Sequence, residues 1–292
     1  MFQNLNRFLA SKGICWFVPR GTVRLNYYTA SLNFGDVLNE NLMAFFHQPF
    51  VKVRSKHAEM TCIGSLLQNF LLKRHKHRTK KPMYIFGTGF IQPASSDSEA
   101  FCRPMVFCAI RGKLSKERCA KITGENLDHV PLGDPALLTK RMFPDMTPNP
   151  QYDVGVICHY VDKESPCLKN IQLKNLRVRY IDVMQRPEDF VGQVLSCKFI
   201  LSSAMHGLIC ADSFGIPNRH IVLSENVVGG EYKFRDYYSV FDGVTYNPIY
   251  LKDRIITDED IVQFTKEYAI KQAQVDAICD RLIGAFPNIK QK

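Results

Sequence analysis

The sequence predicts an α/β protein built from two Rossmann-like lobes, whose parallel sheets face each other across a cleft. Short β-type runs alternate with helical stretches, and several runs end in Gly or Ser, which is typical of strand–turn–helix units in a parallel sheet. The alternation stops in the proline-rich segment 143–152 and then starts again. The 292 residues accommodate two lobes, since lobes of this type have roughly 130 to 150 residues each.

The proline-rich segment divides the chain into a first lobe, residues 1–145, and a second lobe, residues 150–292. Strand candidates are GICWFVP, MTCIGS, PMYIFGTG and MVFCAIRG in the first lobe, and DVGVIC, LRVRYIDV, KFILSS and RHIVLS in the second. The runs PEDFVGQVLS and MHGLICADSF are predicted helices. A last helix is predicted from Thr257 to about Phe286, with Thr257 and Asp260 as a capping box, and it can pack back on the first lobe. Such a GT-B-like arrangement binds ligands beyond the carboxyl ends of its strands.

Composition indicates an ordinary globular protein, with 46% hydrophobic and 23% charged residues. The ten cysteines are scattered without a CxxC pair, so we expect reduced thiols and no metal site. The first residues do not read as a signal peptide, and no apolar run is long enough to span a bilayer. We therefore expect a cytoplasmic protein.

The net charge of +10 is partly concentrated in KRHKHRTKK, residues 73–81, which directly follows the apolar run LLQNFLL. A basic cluster of this kind can contact an anionic membrane surface peripherally. It can equally be a solvated loop. Nucleic acid is not an expected partner, because no recognised nucleic-acid-binding module accompanies the charge.

The most informative stretch is FILSSAMHGLICADSFGIPN, residues 199–218. It predicts a buried strand that ends at Ser202 and Ser203, followed by a helix that begins near His206 and Gly207. Hydroxyl groups, an imidazole and free backbone N–H groups at a helix N-terminus favour an anion-binding site. Gly207 would allow a ligand to approach the backbone closely. The alternative is that His206 merely caps or packs the helix.

Part of this stretch, SSAMHGLICADSFGIPN, resembles the signature Ser-x-x-His-Gly-x-Ile-x-Ala-x-x-x-Gly-Ile-Pro of the polysaccharide pyruvyltransferases. Seven further pieces with family-like sequence occur in the expected order: LNFGDVLNENL, CIGSLL, YIFGTGF, AIRGKLS, LGDPALL, GVICHYVD and YKFRDYYS. Together they cover roughly residues 32–239. One departure is Ala204, at a position where many family members carry Arg.

The resemblance implies transfer of a pyruvyl group from phosphoenolpyruvate to a sugar, with formation of a cyclic ketal and without a required cofactor. The acceptor implied is a galactose in a lipid-linked oligosaccharide, in capsule or exopolysaccharide biosynthesis. The expected donor site combines Ser202, Ser203 and Gly207 with the cations Arg111, Lys233 and Arg235. Arg111 follows a predicted strand, where its planar fork could bind phosphate or carboxylate. Each of the three cations could instead be a surface charge.

Ketal formation needs an acid that protonates the donor methylene and a base that accepts hydroxyl protons. His206 is the candidate acid, or it stabilises the departing phosphate. Asp36 is the candidate base, although it could instead be the N-cap of the helix that follows. Acceptor contacts are expected at the turns of the first lobe, from Asn33, Gly64, Ser65 and Thr88.

Two other function classes remain open at this stage. A GT-B glycosyltransferase would use a nucleotide-sugar donor, and Glu225 or Glu231 could then bind the ribose. A non-catalytic glycan- or membrane-binding protein would keep the cleft without its chemistry, but the intact Ser-x-x-His-Gly stretch argues against it. The oligomeric state is left open.

Overall fold

Two parallel five-stranded sheets form the framework of the molecule. The computed structural model describes residues 21–28, 32–72 and 79–289. The first sheet has the strand order β2-β1-β3-β4-β5, and the second has the order β10-β9-β8-β6-β7. The strands are β1 (Val23–Asn26), β2 (Phe50–Lys52), β3 (Met60–Thr61), β4 (Met83–Phe86), β5 (Met105–Ala109), β6 (Tyr152–Cys158), β7 (Val178–Asp182), β8 (Cys197–Ser202), β9 (Asn218–Val222) and β10 (Ile249–Tyr250). The predicted fold class, an α/β protein with two parallel sheets, is confirmed.

Seven of the eight strand candidates correspond to strands β3 to β9. The eighth, GICWFVP, lies outside the described residues. Strands β1, β2 and β10 were not predicted. Each has at most four residues, and a run this short carries little periodicity; the equally short β3 was predicted because it lies in the longer apolar run MTCIGS. All strand pairs in both sheets are parallel.

Helices pack between and around the sheets. They are α1 (Phe34–Phe45), α2 (Lys113–Thr123), α3 (Thr139–Met142), α4 (Pro187–Leu195), α5 (Met205–Ser213), α6 (Tyr232–Tyr238), α7 (Asp258–Glu267) and α8 (Gln272–Ala285). Helices α4 and α5 match the two predicted helices of the second lobe. Helix α4 begins with Pro187, whose fixed φ suits the first helical position, and it carries Glu188 and Asp189 at the positive end of its dipole.

The predicted long helix at residues 257–286 is wrong in one respect, because it is interrupted between Glu267 and Gln272. The capping box of Thr257 and Asp260 is present as predicted. At the interruption, the hydroxyl of Tyr268 donates a hydrogen bond of 2.9 Å to the buried carboxylate of Asp212 in α5. A buried carboxylate needs such donors, so this tertiary contact overrides the local helical pattern.

Contacts between the halves of the chain join the two lobes. The ring of Phe34 in α1 stacks on Phe190 in α4 with centroids 4.1 Å apart. Helix α8 returns to the first half of the chain, where Phe286 stacks on Phe46 with centroids 3.7 Å apart. The thiol of Cys279 donates to the carbonyl of Leu137 at 3.4 Å. The largest hydrophobic core cluster therefore includes residues from both lobes.

The strand order of each sheet reverses beside its first strand. In the first sheet, β1 lies between β2 and β3, and in the second, β6 lies between β7 and β8. Crevices open at such reversal points, beyond the carboxyl ends of the strands. The loops that follow β1, β3, β6 and β8 are therefore the expected location of a ligand.

The nine cysteines in the described part of the chain are free thiols, and seven of them are buried. No described helix combines the length and the apolar character needed to cross a bilayer.

Candidate active site

The turn from β8 to α5 is held by its own serines. The Ser202 hydroxyl accepts a hydrogen bond from the Ala204 N–H at 3.1 Å, and the Ser203 hydroxyl accepts one from the His159 N–H at 2.8 Å. Both serines are almost fully buried. A Cβ on Gly207 would lie 2.6 Å from the Ser202 Oγ. Ser202, Ser203 and Gly207 were expected to contact the donor directly, but the structure shows them shaping the turn that holds His206.

His206 reaches from this turn across to the first lobe, where its ring lies against Gly35. A Cβ built on Gly35 would be 1.9 Å from Nδ1 of His206, so only glycine fits there. Nε2 of His206 is buried and has no hydrogen-bond partner among the described residues. Burial, and then the charges of Lys233, Arg111 and His159, lower the pKa of His206 to about 3. The imidazole is thus neutral near pH 7 in this environment.

Asp36 lies one residue beyond Gly35, in the first turn of α1. The N-cap of this helix is Asn33, whose side-chain oxygen accepts a hydrogen bond of 3.1 Å from the Gly35 N–H. The alternative that Asp36 is the N-cap is therefore wrong. Burial raises the pKa of Asp36 to about 7, against the opposing effect of Lys233. A carboxyl group with this pKa is suited to accept protons near neutral pH.

Lys233, in α6, is the cation at the centre of the site. Only 8% of it is exposed, and no acidic group of the described chain lies within ion-pair distance of its ammonium. Burial and Arg111 lower the pKa of Lys233 to about 8, while Asp36 and Asp162 oppose the shift. A buried cation without a paired carboxylate favours an anionic ligand.

Sequence reasoning missed two further members of this site, His159 and Asp162, which follow β6. Burial, and then the charge of Lys233, lower the pKa of His159 to about 4. One carboxylate oxygen of Asp162 accepts a hydrogen bond from Ser224, and the other is buried without a partner among the described residues. The signal was present in GVICHYVD, where both residues directly follow a predicted strand and therefore lie at the ligand-binding edge of the sheet.

The guanidinium group of Arg111 was expected to bind a ligand, but in the structure it is hydrogen-bonded to protein groups. Its Nε donates to Asp236 at 2.9 Å, Nη1 to Ser65 at 2.6 Å and Nη2 to the Phe90 carbonyl at 2.5 Å. The side chain is fully buried. All three nitrogens are therefore used within the protein, and Arg111 links the first lobe to α6 of the second lobe instead of presenting its fork to a ligand.

Arg235 also lies elsewhere than expected. It is on the exposed side of α6, where it forms an ion pair of 2.6 Å with Glu231. Its guanidinium carbon lies 5.6 Å from the centre of the Tyr246 ring. The structure thus brings Lys233 but not Arg235 to His206. The pairing also engages Glu231, one of the two acids considered for a ribose contact.

The residues expected to contact the acceptor mostly organise the loops of the first lobe. Thr88 is fully buried, and its hydroxyl donates to the Gly64 carbonyl at 2.8 Å while accepting from the Leu66 N–H at 3.1 Å. Gly64 has a φ of +122°, which favours glycine. Ser65 binds Arg111 and Asn33 caps α1. These groups are engaged in contacts within the protein.

The basic segment is only partly covered by the structure. Residues 73–78, with Lys73, Arg74, Lys76 and Arg78, lie outside the described residues. Lys80 and Lys81 are exposed. No group of three or more His, Cys, Asp or Glu side chains positioned to hold a metal ion occurs within the described ranges.

The fold and the cleft define a two-lobed α/β protein with a buried, cation-containing site at the facing sheet edges. The family model described as polysaccharide pyruvyl transferase matches residues 33–225. The chain therefore belongs to the polysaccharide pyruvyl transferase family. The match includes Asp36, His159 and His206 but ends before Lys233. Family membership supports a transferase that modifies polysaccharides.

A relative and two solved structures are similar to this chain. An uncharacterized protein of Acanthamoeba polyphaga mimivirus is 28% identical over 233 residues, which cover 76% of this chain and 75% of the viral protein. The crystal structure of an uncharacterized protein from Klebsiella pneumoniae matches with a TM-score of 0.42 and 11% identity, covering 86% of this chain and 98% of that one. The wall teichoic acid polymerase TagF matches with a TM-score of 0.37 and 11% identity, covering 97% of this chain and 89% of the polymerase. Both TM-scores are too low to support an argument.

Proposed function

We propose that the protein transfers a pyruvyl group from phosphoenolpyruvate to a sugar and forms a cyclic ketal, and that Lys233 binds the donor. The observation that carries this proposal is the buried ammonium of Lys233, which has no paired carboxylate in the described chain and lies in electrostatic contact with Asp36, His159 and His206. Phosphoenolpyruvate carries a phosphate and a carboxylate, so it supplies the negative charge that this lysine lacks.

The reaction requires two sugar hydroxyls and releases phosphate. A proton adds to the methylene carbon of the donor, and the first hydroxyl oxygen forms a bond to the central carbon. The bond from that carbon to the phosphate oxygen then breaks, and the second hydroxyl oxygen closes the ring. Of the two hydroxyl protons, one balances the proton now on the methyl group, and the other leaves with hydrogen phosphate.

The neighbours of the donor would divide these tasks. Asp36 accepts the proton of the attacking hydroxyl, for which a pKa of about 7 is well placed. The unpartnered Nε2 of His206 interacts with the leaving phosphate. The negative charge of the donor raises the pKa of His206 and of Lys233, so donor binding favours their protonated forms, and either can then deliver a proton.

Two tyrosines, exposed Tyr28 and half-buried Tyr160, suggest where the acceptor sugar lies. Tyr28 follows β1 and Tyr160 follows β6, so each extends from the ligand-binding edge of its sheet. The two hydroxyl groups are hydrogen-bonded, and Tyr160 also interacts with the charge of Asp36. Tyr28 is 43% exposed. Aromatic faces at the cleft mouth would hold a sugar ring beside Asp36, in place of the first-lobe turns, whose polar groups are already engaged.

The acceptor and the setting of the reaction extend the same proposal. A galactose on a lipid-linked oligosaccharide, modified for capsule or exopolysaccharide, would be presented at the cytoplasmic face of a membrane. Peripheral contact through residues 73–81 would bring the enzyme to that surface. No redox cofactor or metal is required for the proposed reaction.

A donor panel analysed by mass spectrometry tests the proposal. The protein is incubated with a synthetic galactoside and either phosphoenolpyruvate or nucleotide sugars. We expect the galactoside to gain the mass of one pyruvyl ketal, with one phosphate released per ketal. A gain of one hexose with release of nucleotide would instead identify a glycosyltransferase and overturn the proposal.

A further inference from the structure

A second pocket lies in the first lobe. Its volume is about 260 Å³. It is lined by Arg24 of β1, by residues between β2 and β3, and by residues before β4 and β5, namely Val53, Arg54, Lys56, His57, Ala58, Glu59, Thr79, Lys81 and Arg103. None of them belongs to the candidate active site. The two sites are therefore separate.

Basic side chains dominate the lining of this pocket. They are Arg24, Arg54, Lys56, His57, Lys81 and Arg103. Glu59 is the only acidic residue among the described lining residues, and it is paired with Arg24 at 2.8 Å. No described carboxylate lies within ion-pair distance of Arg54, Lys56 or Lys81. The pocket thus carries an uncompensated positive charge.

Arg103 gives the pocket a fixed wall. Its three guanidinium nitrogens donate to the backbone carbonyls of Ala58, Lys81 and Pro82, each at 2.8 Å. Arg103 is only 7% exposed. These bonds hold the segment before β3 against the segment before β4, so the cations of both segments are kept on one pocket. The backbone of both segments is thereby fixed, while the side chains of Arg54, Lys56 and Lys81 remain exposed.

The pKa of His57 depends on the charges around the pocket. Burial and then four cations, Lys56, Arg24, Arg54 and Lys81, lower the pKa of His57. Glu59 and Arg103 also face this pocket. An anion bound among these cations would offset their effect and raise the pKa of His57. This imidazole is therefore a natural probe for occupancy.

We propose that this pocket binds the phosphoryl group of a phosphomonoester or phosphodiester, either of a soluble compound or of a lipid headgroup. Arg54 can offer a planar fork, and Lys56 and Lys81 offer mobile ammonium groups. Together these donors can surround the several oxygens of a phosphoryl group. Compared with a phosphomonoester, a carboxylate has fewer oxygens and less charge, so it would leave part of this donor set unused.

The test follows the imidazole resonances of His57 by NMR, assigned with a His57→Gln variant, while glycerol 3-phosphate is added to the full chain. We expect a saturable shift and a rise in the pKa of His57. Replacing Arg54, Lys56 and Lys81 together by Gln should raise the Kd by at least about tenfold, because the attracting charges are gone. The matched control replaces Lys169, Lys252 and Lys266 of the second lobe by Gln, and it should leave the Kd unchanged. Thermal melting verifies that both variants fold.

A second arm distinguishes a soluble ligand from a lipid headgroup. Vesicles of phosphatidylcholine are compared with vesicles that also contain phosphatidic acid. Binding that needs phosphatidic acid and is lost in the pocket variant, but not in the control variant, supports a lipid headgroup. Equal responses to glycerol 3-phosphate and to glucuronate would overturn the preference for phosphoryl groups. An equal loss in the two variants, or no response to any phosphoryl probe, would overturn the proposal.

Discussion

The burial of Lys233 opposes the stability of the fold, although its charge suits the proposed function. Burial of an ammonium without a paired carboxylate costs free energy of folding. The described residues around Lys233 oppose its pKa shift only through the charges of Asp36 and Asp162. Under the proposed function, a bound trianionic donor would offset this cost.

Replacing Lys233 by Met should therefore separate binding from folding. Methionine keeps an unbranched side chain but has no charge, so we expect kcat/KM for phosphoenolpyruvate to fall by about 10²-fold or more. The melting temperature should stay the same or rise. The matched control is Arg235→Gln on the same helix, which should have near-wild-type kinetics because Arg235 is exposed and paired with Glu231. The reverse pattern would assign donor binding to Arg235.

The pH dependence of kcat/KM should follow Asp36 and Lys233. The base acts in its ionised form, so activity should rise with pH through the Asp36 pKa of about 7. The acid acts in its protonated form, so activity should fall above the Lys233 pKa of about 8. The two groups interact, so the limbs belong to the pair. Asp36→Asn should remove the acidic limb along with most activity, and an unchanged limb would assign it to another group.

Arg111 marks the limit of residue-level prediction. Its position after β5 could be read from the sequence, but its use could not, because its partners Asp236 and Ser65 are 125 and 46 positions away. The position of His206 at the start of a helix could be predicted, since its strand, turn and helix are contiguous. Sites assembled from distant loops, such as Lys233 with His159 and Asp162, need the tertiary structure.

The first turn of α1 needs glycine at position 35, because a larger residue would meet the ring of His206. Gly35→Ala places a Cβ where the His206 ring lies, so we expect both a lower melting temperature and loss of activity. Gly284→Ala in α8 is the control, because nothing lies within 4 Å of its Cβ, and alanine should be neutral or stabilise by about 0.5–1 kcal/mol there.

A second substitution identifies the cause of the Gly35→Ala defect. Adding His206→Ala removes the ring that the new Cβ meets, so the melting temperature should recover while activity stays lost. A double variant that melts as low as Gly35→Ala alone would show that the contact with His206 is not responsible.

Elements with long-range partners were harder to predict than those with local ones. The first residues of α4 and α7 could be predicted from Pro187 and from the capping box of Thr257 and Asp260. Both signals lie within the helix start itself. The break between α7 and α8 is different, since the hydroxyl of Tyr268 binds Asp212, which is 56 positions away. Local periodicity contains no information about such a contact.

At the scale of the whole molecule, Asp236 connects the lobes. Its carboxylate accepts from the Arg111 Nε at 2.9 Å and from the Ser115 N–H and hydroxyl at 2.8 Å and 2.6 Å. Arg111 and Asp236 are both fully buried. Removing one member of such a buried pair typically costs about 3–5 kcal/mol. The cleft geometry therefore depends on groups that need not contact the substrate.

Arg111→Lys tests this structural role. Lysine keeps the charge but cannot reach Asp236, Ser65 and the Phe90 carbonyl together, so we expect a clearly lower melting temperature measured by calorimetry. At a temperature where the variant is folded, KM for phosphoenolpyruvate should change little. A normal melting temperature with a strongly raised KM would return Arg111 to the donor site. Lys116→Arg, in a surface pair with the exposed Asp128, controls for the exchange of cations.

The return of α8 to the first half of the chain affects how the protein is made. Phe286 covers Phe46 and also meets Phe86 edge-on, with ring centroids 5.2 Å apart. During synthesis, the first lobe leaves the ribosome long before residues 272–286, so this apolar surface stays open until they follow. Early chains would therefore be bound by chaperones and prone to aggregation, and the first lobe becomes fully packed only after the second has been translated.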